Sequence, residues 1–78
     1  MPVVLRVDGF AFEIFSDEHE PAHVHVRYSG KKCRIVLDTL DLSRSDMNQS
    51  EESRAVRIVA EHHDELRAAW LALKGDRR

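Results

Sequence analysis

The chain has 78 residues, a formal net charge of −2 and 42% hydrophobic residues. This composition predicts one small globular domain over 1–78, excludes a disordered chain and gives no global reason to expect nucleic-acid binding. The single cysteine, Cys33, excludes an intramolecular disulfide and favours a reducing compartment, so we expect a cytoplasmic protein. No apolar run approaches the roughly 20 residues of a membrane span and no signal-peptide pattern opens the chain, so we expect no membrane partner.

The first predicted elements are two strands, at about 2–7 and 10–15, joined by the dipeptide Asp8-Gly9. Asp-Gly is a strong hairpin signal because a type I′ turn needs positive φ at both central residues. A two-residue loop there aligns the apolar residues of both strands on one face. The predicted pairs are Val7 with Phe10, Leu5 with Phe12 and Val3 with Ile14, and on the other face Arg6 with Ala11 and Val4 with Glu13.

A second hairpin is predicted from strands at about 23–28 and 33–37. A two-residue loop at Gly30-Lys31 predicts that Tyr28 pairs with Cys33, Val26 with Ile35 and Val24 with Leu37. Because successive strand side chains point to opposite faces, the alternation gathers the polar residues of the first strand on the other face. These residues are His23, His25 and Arg27.

The segment 39–49 is polar and irregular, and a helix is predicted at about 50–74. Asn48 with Glu51 three residues later resembles a capping box. Apolar residues then recur at three- and four-residue steps, as expected for a helix packed on one side: Val56, Val59, Leu66, Trp70 and Leu73. We therefore predict an α+β fold, a four-stranded, mainly antiparallel sheet of two hairpins packed on one C-terminal helix. Its second sheet face has no predicted cover, which makes a partner or a homodimer plausible there.

The histidines of the third strand permit a metal site. A His-x-His strand places two imidazoles on one face, so His23 and His25 can converge on a divalent ion such as zinc or nickel. His19, and with it Asp17 or Glu18, can supply a further ligand from the preceding loop. The fixed charges of the neighbouring Arg27 and Arg34 oppose a cation at this position.

Anion binding is the second reading of the same strand. The stretch 23–34 contains four fixed cations and no acidic residue: Arg27, Lys31, Lys32 and Arg34. Histidines beside arginines and lysines suit a phosphate or an RNA backbone. If the protein is an enzyme, we expect a metal-independent ribonuclease without a cofactor, in which His23 and His25 form the acid–base pair and Arg27 is the cation.

A purely structural role of the histidines stays open beside the metal-site and anion-binding hypotheses. His23 then pairs with Asp38, and the histidines only shape the loop of a non-catalytic adaptor. His62 and His63 fall within the apolar arc of the predicted helix, which favours packed or boundary side chains bonded to nearby backbone. Cys33 alternates with the outward-facing residues of its strand, and Trp70 recurs with the apolar residues of the helix. We therefore interpret both as core residues.

The stretch "MPVVLRVDGFAFEIFSDEHEPAHVHV", a strand that ends in "VLD" and the helical "EHHDELRAAW" together resemble the bacterial domain of unknown function 4160 family. The most distinctive part is an E-H-x-P-x-H-x-H-V element formed by Glu18, His19, Pro21, His23, His25 and Val26. The resemblance implies a small bacterial protein encoded beside another short protein, as one component of a toxin–antitoxin-like module. It points to His19, His23 and His25 as the site and to the neighbouring gene product as the partner.

Overall fold

The structure, a computed structural model, describes residues 3–16 and 19–75. Within them the chain forms five strands and two helices. The strands are β1 (Val3–Val7), β2 (Phe10–Glu13), β3 (His23–Tyr28), β4 (Lys31–Val36) and β5 (Leu42–Ser43), and the helices are α1 (Gln49–Glu61) and α2 (His63–Gly75). Neither helix is long and apolar enough to cross a bilayer.

The strands form one antiparallel sheet in the order β1-β2-β3-β4-β5. The α+β class is confirmed. The first hairpin turns at Asp8 and Gly9, whose φ angles are +52° and +84°, and Val7 and Leu5 pair as predicted. The pairing fails beyond Leu5, because a bulge at Val4 aligns Val3 with Glu13. The extra residue allows Val4 and Leu5, although adjacent, to pack against the same core.

The second hairpin turns one residue earlier than predicted. Ser29 and Gly30 adopt φ angles of +52° and +80°, as a type I′ turn requires, whereas a loop at Gly30-Lys31 would place that strain on a lysine. The predicted register is therefore wrong, and the observed pairs are Tyr28 with Lys31, Arg27 with Lys32, Val26 with Cys33, His25 with Arg34, Val24 with Ile35 and His23 with Val36. Because the shift is two residues, every side chain keeps its predicted face.

The C-terminal half differs from the prediction in two places. Leu42 and Ser43 form a fifth strand beside β4, which was predicted as irregular chain. The single helix at 50–74 is wrong, because His62 leaves helical geometry at φ −110° and ψ 25° and separates α1 from α2. A straight helix over 49–75 would be roughly 40 Å long, about twice the length of a six-residue strand. The break allows both halves to pack on the same short sheet.

One core lies between the helices and one face of the sheet. The buried side chains come from β2, β3, β4 and both helices, and they are fully or almost fully removed from solvent. They include Phe10, Phe12, Val24, Val26, Cys33, Ile35, Ala55, Ile58, Val59, Leu66 and Trp70. The predicted core positions of Cys33 and Trp70 are confirmed, and the two helices leave the opposite sheet face uncovered within the described residues.

The start of α1 is tied to the second hairpin. Asn48 Oδ1 accepts from the Glu51 N–H at 2.8 Å, and Glu51 Oε1 accepts from the Asn48 N–H at 2.9 Å, which confirms the capping box. The same carboxylate binds the ammonium of Lys31 on β4 at 3.1 Å. The Asn48 N–H, and after it the Lys31 ammonium, lowers the pKa of Glu51 below its ordinary value.

This pKa predicts a pH-dependent stability. A carboxylate whose pKa is lowered by folding stabilises the protein above its ordinary pKa, and that contribution is lost as pH falls through the folded-state pKa. We expect the difference in free energy of unfolding between wild type and Glu51→Gln to shrink as pH falls through this range, measured by urea denaturation. Glu61→Gln, at an exposed site of the same helix, is the matched control. The same pH trend in both variants would contradict the assignment.

Candidate functional site

Two rows of side chains cross the sheet face opposite the helices, which we call the open face. Cross-strand partners share a face, so the antiparallel register defines both rows. The first row contains Arg6, Ala11, Arg27 and Lys32, and the second contains Glu13, His25, Arg34 and Ser43. Cationic side chains from three different strands therefore lie near one another on one surface.

A groove of about 290 Å³ lies on this face. The β3–β4 ladder at Val26 and Cys33 forms part of its lining, together with Phe15 and with Arg44 from the segment after β5. We call it the cationic groove because its charged lining contains four fixed cations and one carboxylate: Arg27, Lys32, Arg34, Arg44 and Glu13. A negatively charged ligand is the electrostatic complement of such a lining.

The charge of Arg27 is neutralised by a buried carboxylate on the neighbouring strand. Its Nε donates to Glu13 Oε1 at 3.2 Å, and the Glu13 side chain is only 9% exposed whereas that of Arg27 is 65% exposed. Among residues 3–16 and 19–75, no carboxylate forms an ion pair with Lys32, Arg34 or Arg44. The positive charge available to a ligand is therefore concentrated on the β4–β5 side of the groove.

His23 lies behind the groove and not in it. The residue is 3% exposed, and its Nδ1 donates to the Pro21 carbonyl at 2.8 Å, so the acceptor places the proton on Nδ1. The ring centroid is 5.4 Å from that of Trp70 and 5.2 Å from that of His25. His23 therefore connects the α2 packing with the imidazole that lines the groove.

His25 is the histidine that the groove can present to a ligand. It is half-buried, lines the groove and meets the Phe15 ring edge to face, with centroids 5.0 Å apart and an interplanar angle of 71°. Of the predicted acid–base pair, the structure places His25 in the groove, beside the predicted cation Arg27, and His23 in the packing behind it. A ligand in the groove would reach His25 first.

The predicted anion contacts separate in the same way. Lys32 and Arg34 line the groove, but the Lys31 ammonium is bound by Glu51 at the start of α1. The sequence did not predict Arg44 as an anion contact, because this residue follows a two-residue strand that carries no periodic signal. Its φ of +53° is in the left-handed region, at the residue that directly follows β5.

The hypothesis of a metal site gains no support from the described residues. His19 lies exposed in the loop before β3, next to a cis Glu20-Pro21 bond, and Asp17 and Glu18 lie outside the described residues. No group of three histidine, cysteine, aspartate or glutamate side chains that could hold a metal occurs within 3–16 and 19–75. A divalent ion on His19, His23 and His25 stays a prediction.

The remaining histidines occupy the break between the helices. His62 Nδ1 lies 3.0 Å from Glu65 Oε1, and His63 Nε2 lies 3.1 Å from Asp38 Oδ1. Their partners are carboxylates, whereas backbone partners were expected. Asp38 also contacts Arg67 at 3.5 Å, so it joins the end of β4 to α2, in place of the predicted pairing with His23.

Cys33 lies under the groove with its side chain in the core. Burial, followed by the charges of Glu52 and Asp46, raises the pKa of its thiol to about 11. A thiol with this pKa is protonated at neutral pH, and the thiolate is the nucleophilic form. Nucleophilic chemistry at the groove floor is therefore disfavoured.

A comparison with known families finds one match, to the family described as "Domain of unknown function (DUF4160)", over residues 9–71. The match includes all the lining residues of the cationic groove and the two buried anchors, His23 and Trp70. No curated protein matches the chain, and no solved structure matches it.

The difference in burial between the two strand histidines predicts a difference in stability. His23→Ala removes a buried donor and leaves the Pro21 carbonyl without it, so we expect the free energy of unfolding to fall by about 1–3 kcal/mol. His25→Ala removes a half-buried ring, and we expect a smaller loss. Urea denaturation of both variants measures the two losses. Equal losses would contradict a structural role for His23 distinct from that of His25.

Proposed function

The chain belongs to the domain of unknown function 4160 family, and we propose that it is one component of a bacterial two-gene, toxin–antitoxin-like module that binds RNA through its cationic groove. The observation that carries the proposal is the concentration of Lys32, Arg34 and Arg44 around one groove of a chain whose net charge is −2. A surface so opposed to the overall charge is a reason to expect a specific anionic partner.

RNA is the anion that this groove fits best. Arginine and lysine donate charge-assisted hydrogen bonds to phosphate oxygens, and two arginines allow bidentate contacts. The groove opens on an uncovered sheet face, so a chain of linked phosphates can continue beyond it on either side. A small free anion would need only one of these cations, whereas a nucleic-acid backbone uses them in succession.

The same arrangement assigns roles if the module component cleaves RNA. His25 would accept the proton of the ribose 2′-hydroxyl as that oxygen attacks the phosphorus, and would return it to the leaving 5′-oxygen as its bond to phosphorus breaks, because it is the imidazole that lines the groove. His23 would be a positioning residue that supports the His25 ring, and Arg34 would stabilise the charge that develops on the phosphorus oxygens. No cofactor enters this chemistry.

The partner protein is proposed to be the product of the neighbouring gene. The cationic groove is the surface that such a protein would cover if it acts as an antitoxin, and acidic side chains would complement it. A bound partner would also add stability to a small domain by mass action. The uncovered face supports this part of the proposal, and the family resemblance implies a neighbouring gene.

Binding to RNA predicts a defined salt dependence. Three available cations and about 0.7 counterions released per phosphate contact give a slope of roughly −2 for log affinity against log salt concentration. Fluorescence anisotropy of a labelled single-stranded RNA measures this slope. We expect Arg34→Gln and Arg44→Asn each to weaken binding and to reduce the slope by about 0.7. Asparagine is chosen at residue 44 because it tolerates positive φ.

Arg57→Gln is the matched control for these variants, since Arg57 is an exposed arginine on α1 outside the groove. It should leave both the affinity and the slope close to those of wild type. Equal losses in all three variants would indicate binding to general surface charge and would contradict a groove-specific interaction.

Growth of a bacterial host after controlled induction tests the role in the module. Arrest by the wild type but not by the Arg34→Gln/Arg44→Asn double variant, with soluble expression of both confirmed, would identify the toxic component and place its activity in the groove. Unimpaired growth with both, together with capture of the neighbouring gene product, would identify the antitoxin-like component. The proposal would be contradicted if the protein bound no RNA, caused no growth arrest and captured no neighbouring gene product.

A further inference from the structure

We propose that the cationic groove accepts a single unpaired nucleotide of single-stranded RNA, with its base against Phe15 and His25 and its phosphate on Arg34 and Arg44. This inference rests on the proposed RNA binding and names the form of RNA that the groove selects. It predicts that the protein discriminates an unpaired strand from a duplex and from a backbone without bases.

The first argument is the composition of the groove wall. Phe15 and His25 are in edge-to-face contact within the lining, both half-buried, and His25 lies beside its cross-strand partner Arg34. Proteins that bind single strands combine cations that follow the backbone with aromatic rings on which bases stack, at about 1–3 kcal/mol per base. A duplex hides the faces of its bases, so it could use the cations of this groove but not the rings.

The second argument is the distribution of charge along the groove. Arg27 is paired with the buried Glu13 at 3.2 Å, so the part of the lining near β2 is close to neutral. Lys32, Arg34 and Arg44 carry the available charge on the β4–β5 side. A nucleotide has the same division, an uncharged base at one end and a phosphate at the other. Its orientation in the groove follows from matching the two.

The third argument is size. The groove holds about 290 Å³, at the lower limit of the roughly 300–1,000 Å³ typical of small-ligand pockets. This volume suits one nucleotide and not a stack of several. The neighbouring nucleotides would continue over the open face, where Arg6 contributes further positive charge.

The test compares three labelled probes by fluorescence anisotropy: a single-stranded RNA, an abasic oligomer of the same length and a duplex of the same sequence. We expect wild type to bind the single strand on the order of tenfold more tightly than the abasic oligomer, which corresponds to one stacked base. The duplex should resemble the abasic oligomer. Equal affinity of wild type for the single strand and the abasic oligomer would overturn the inference without any variant.

Two substitutions at one position locate the effect. Phe15→Leu keeps an apolar side chain and should remove the preference for the single strand, whereas Phe15→Tyr keeps a ring and should retain it. An unchanged preference in Phe15→Leu would overturn the assignment of the base to this wall. Equal binding of all three probes would defeat this inference but leave RNA binding intact, and binding of none of them would defeat both proposals.

Discussion

The position of β3 between β2 and β4 is the constraint on which the rest of the structure depends. Both of its edges are paired, so its alternation sends Val24 and Val26 into the core and leaves His25 and Arg27 on the open face. A shift of one residue would bury the arginine and expose the valines, at a cost of several kcal/mol in desolvation and lost apolar burial. The core and the cationic groove are therefore two consequences of one register.

His23 connects the packing of α2 with the open face of the sheet. It belongs to the open-face side of β3, yet it is buried because the strand begins where Trp70 of α2 reaches the end of the sheet. Trp70 Nε1 also donates to Glu20 Oε2 at 3.3 Å, which holds the loop before β3 against the helix. A change in how α2 packs would thus be transmitted to His25 through the ring contacts of His23 with Trp70 and with His25. Of the three clustered histidines, His23 is a packing residue, His25 lines the groove and His19 is exposed in the loop before β3.

The sequence predicts which sheet face a side chain occupies better than it predicts which residue lies opposite it on the neighbouring strand. The alternation of β3 and β4 assigns core and open-face residues correctly, because a strand period of two survives a register error of two. In the first hairpin the bulge turns Val4 from its predicted open-face position to the core. The second turn was misplaced since Ser29 carries no strong turn signal, although it accepts positive φ beside Gly30. The helix break at His62 and the position of Arg44 depend on tertiary packing and on a two-residue strand, neither of which leaves a periodic pattern. The groove was therefore predicted on its β3–β4 side and missed on its β5 side.

The order in which the groove residues occur along the chain has a consequence for the stage of folding at which the groove forms. Its wall begins at Glu13 on β2 and ends at Arg44, beyond the last strand. A chain still emerging from the ribosome possesses the rings and the neutralised arginine long before it possesses the final cation. The cationic groove is complete only when β4 and β5 have docked on the earlier hairpin. A nascent or partly unfolded molecule therefore lacks the complete groove, which only the finished sheet presents.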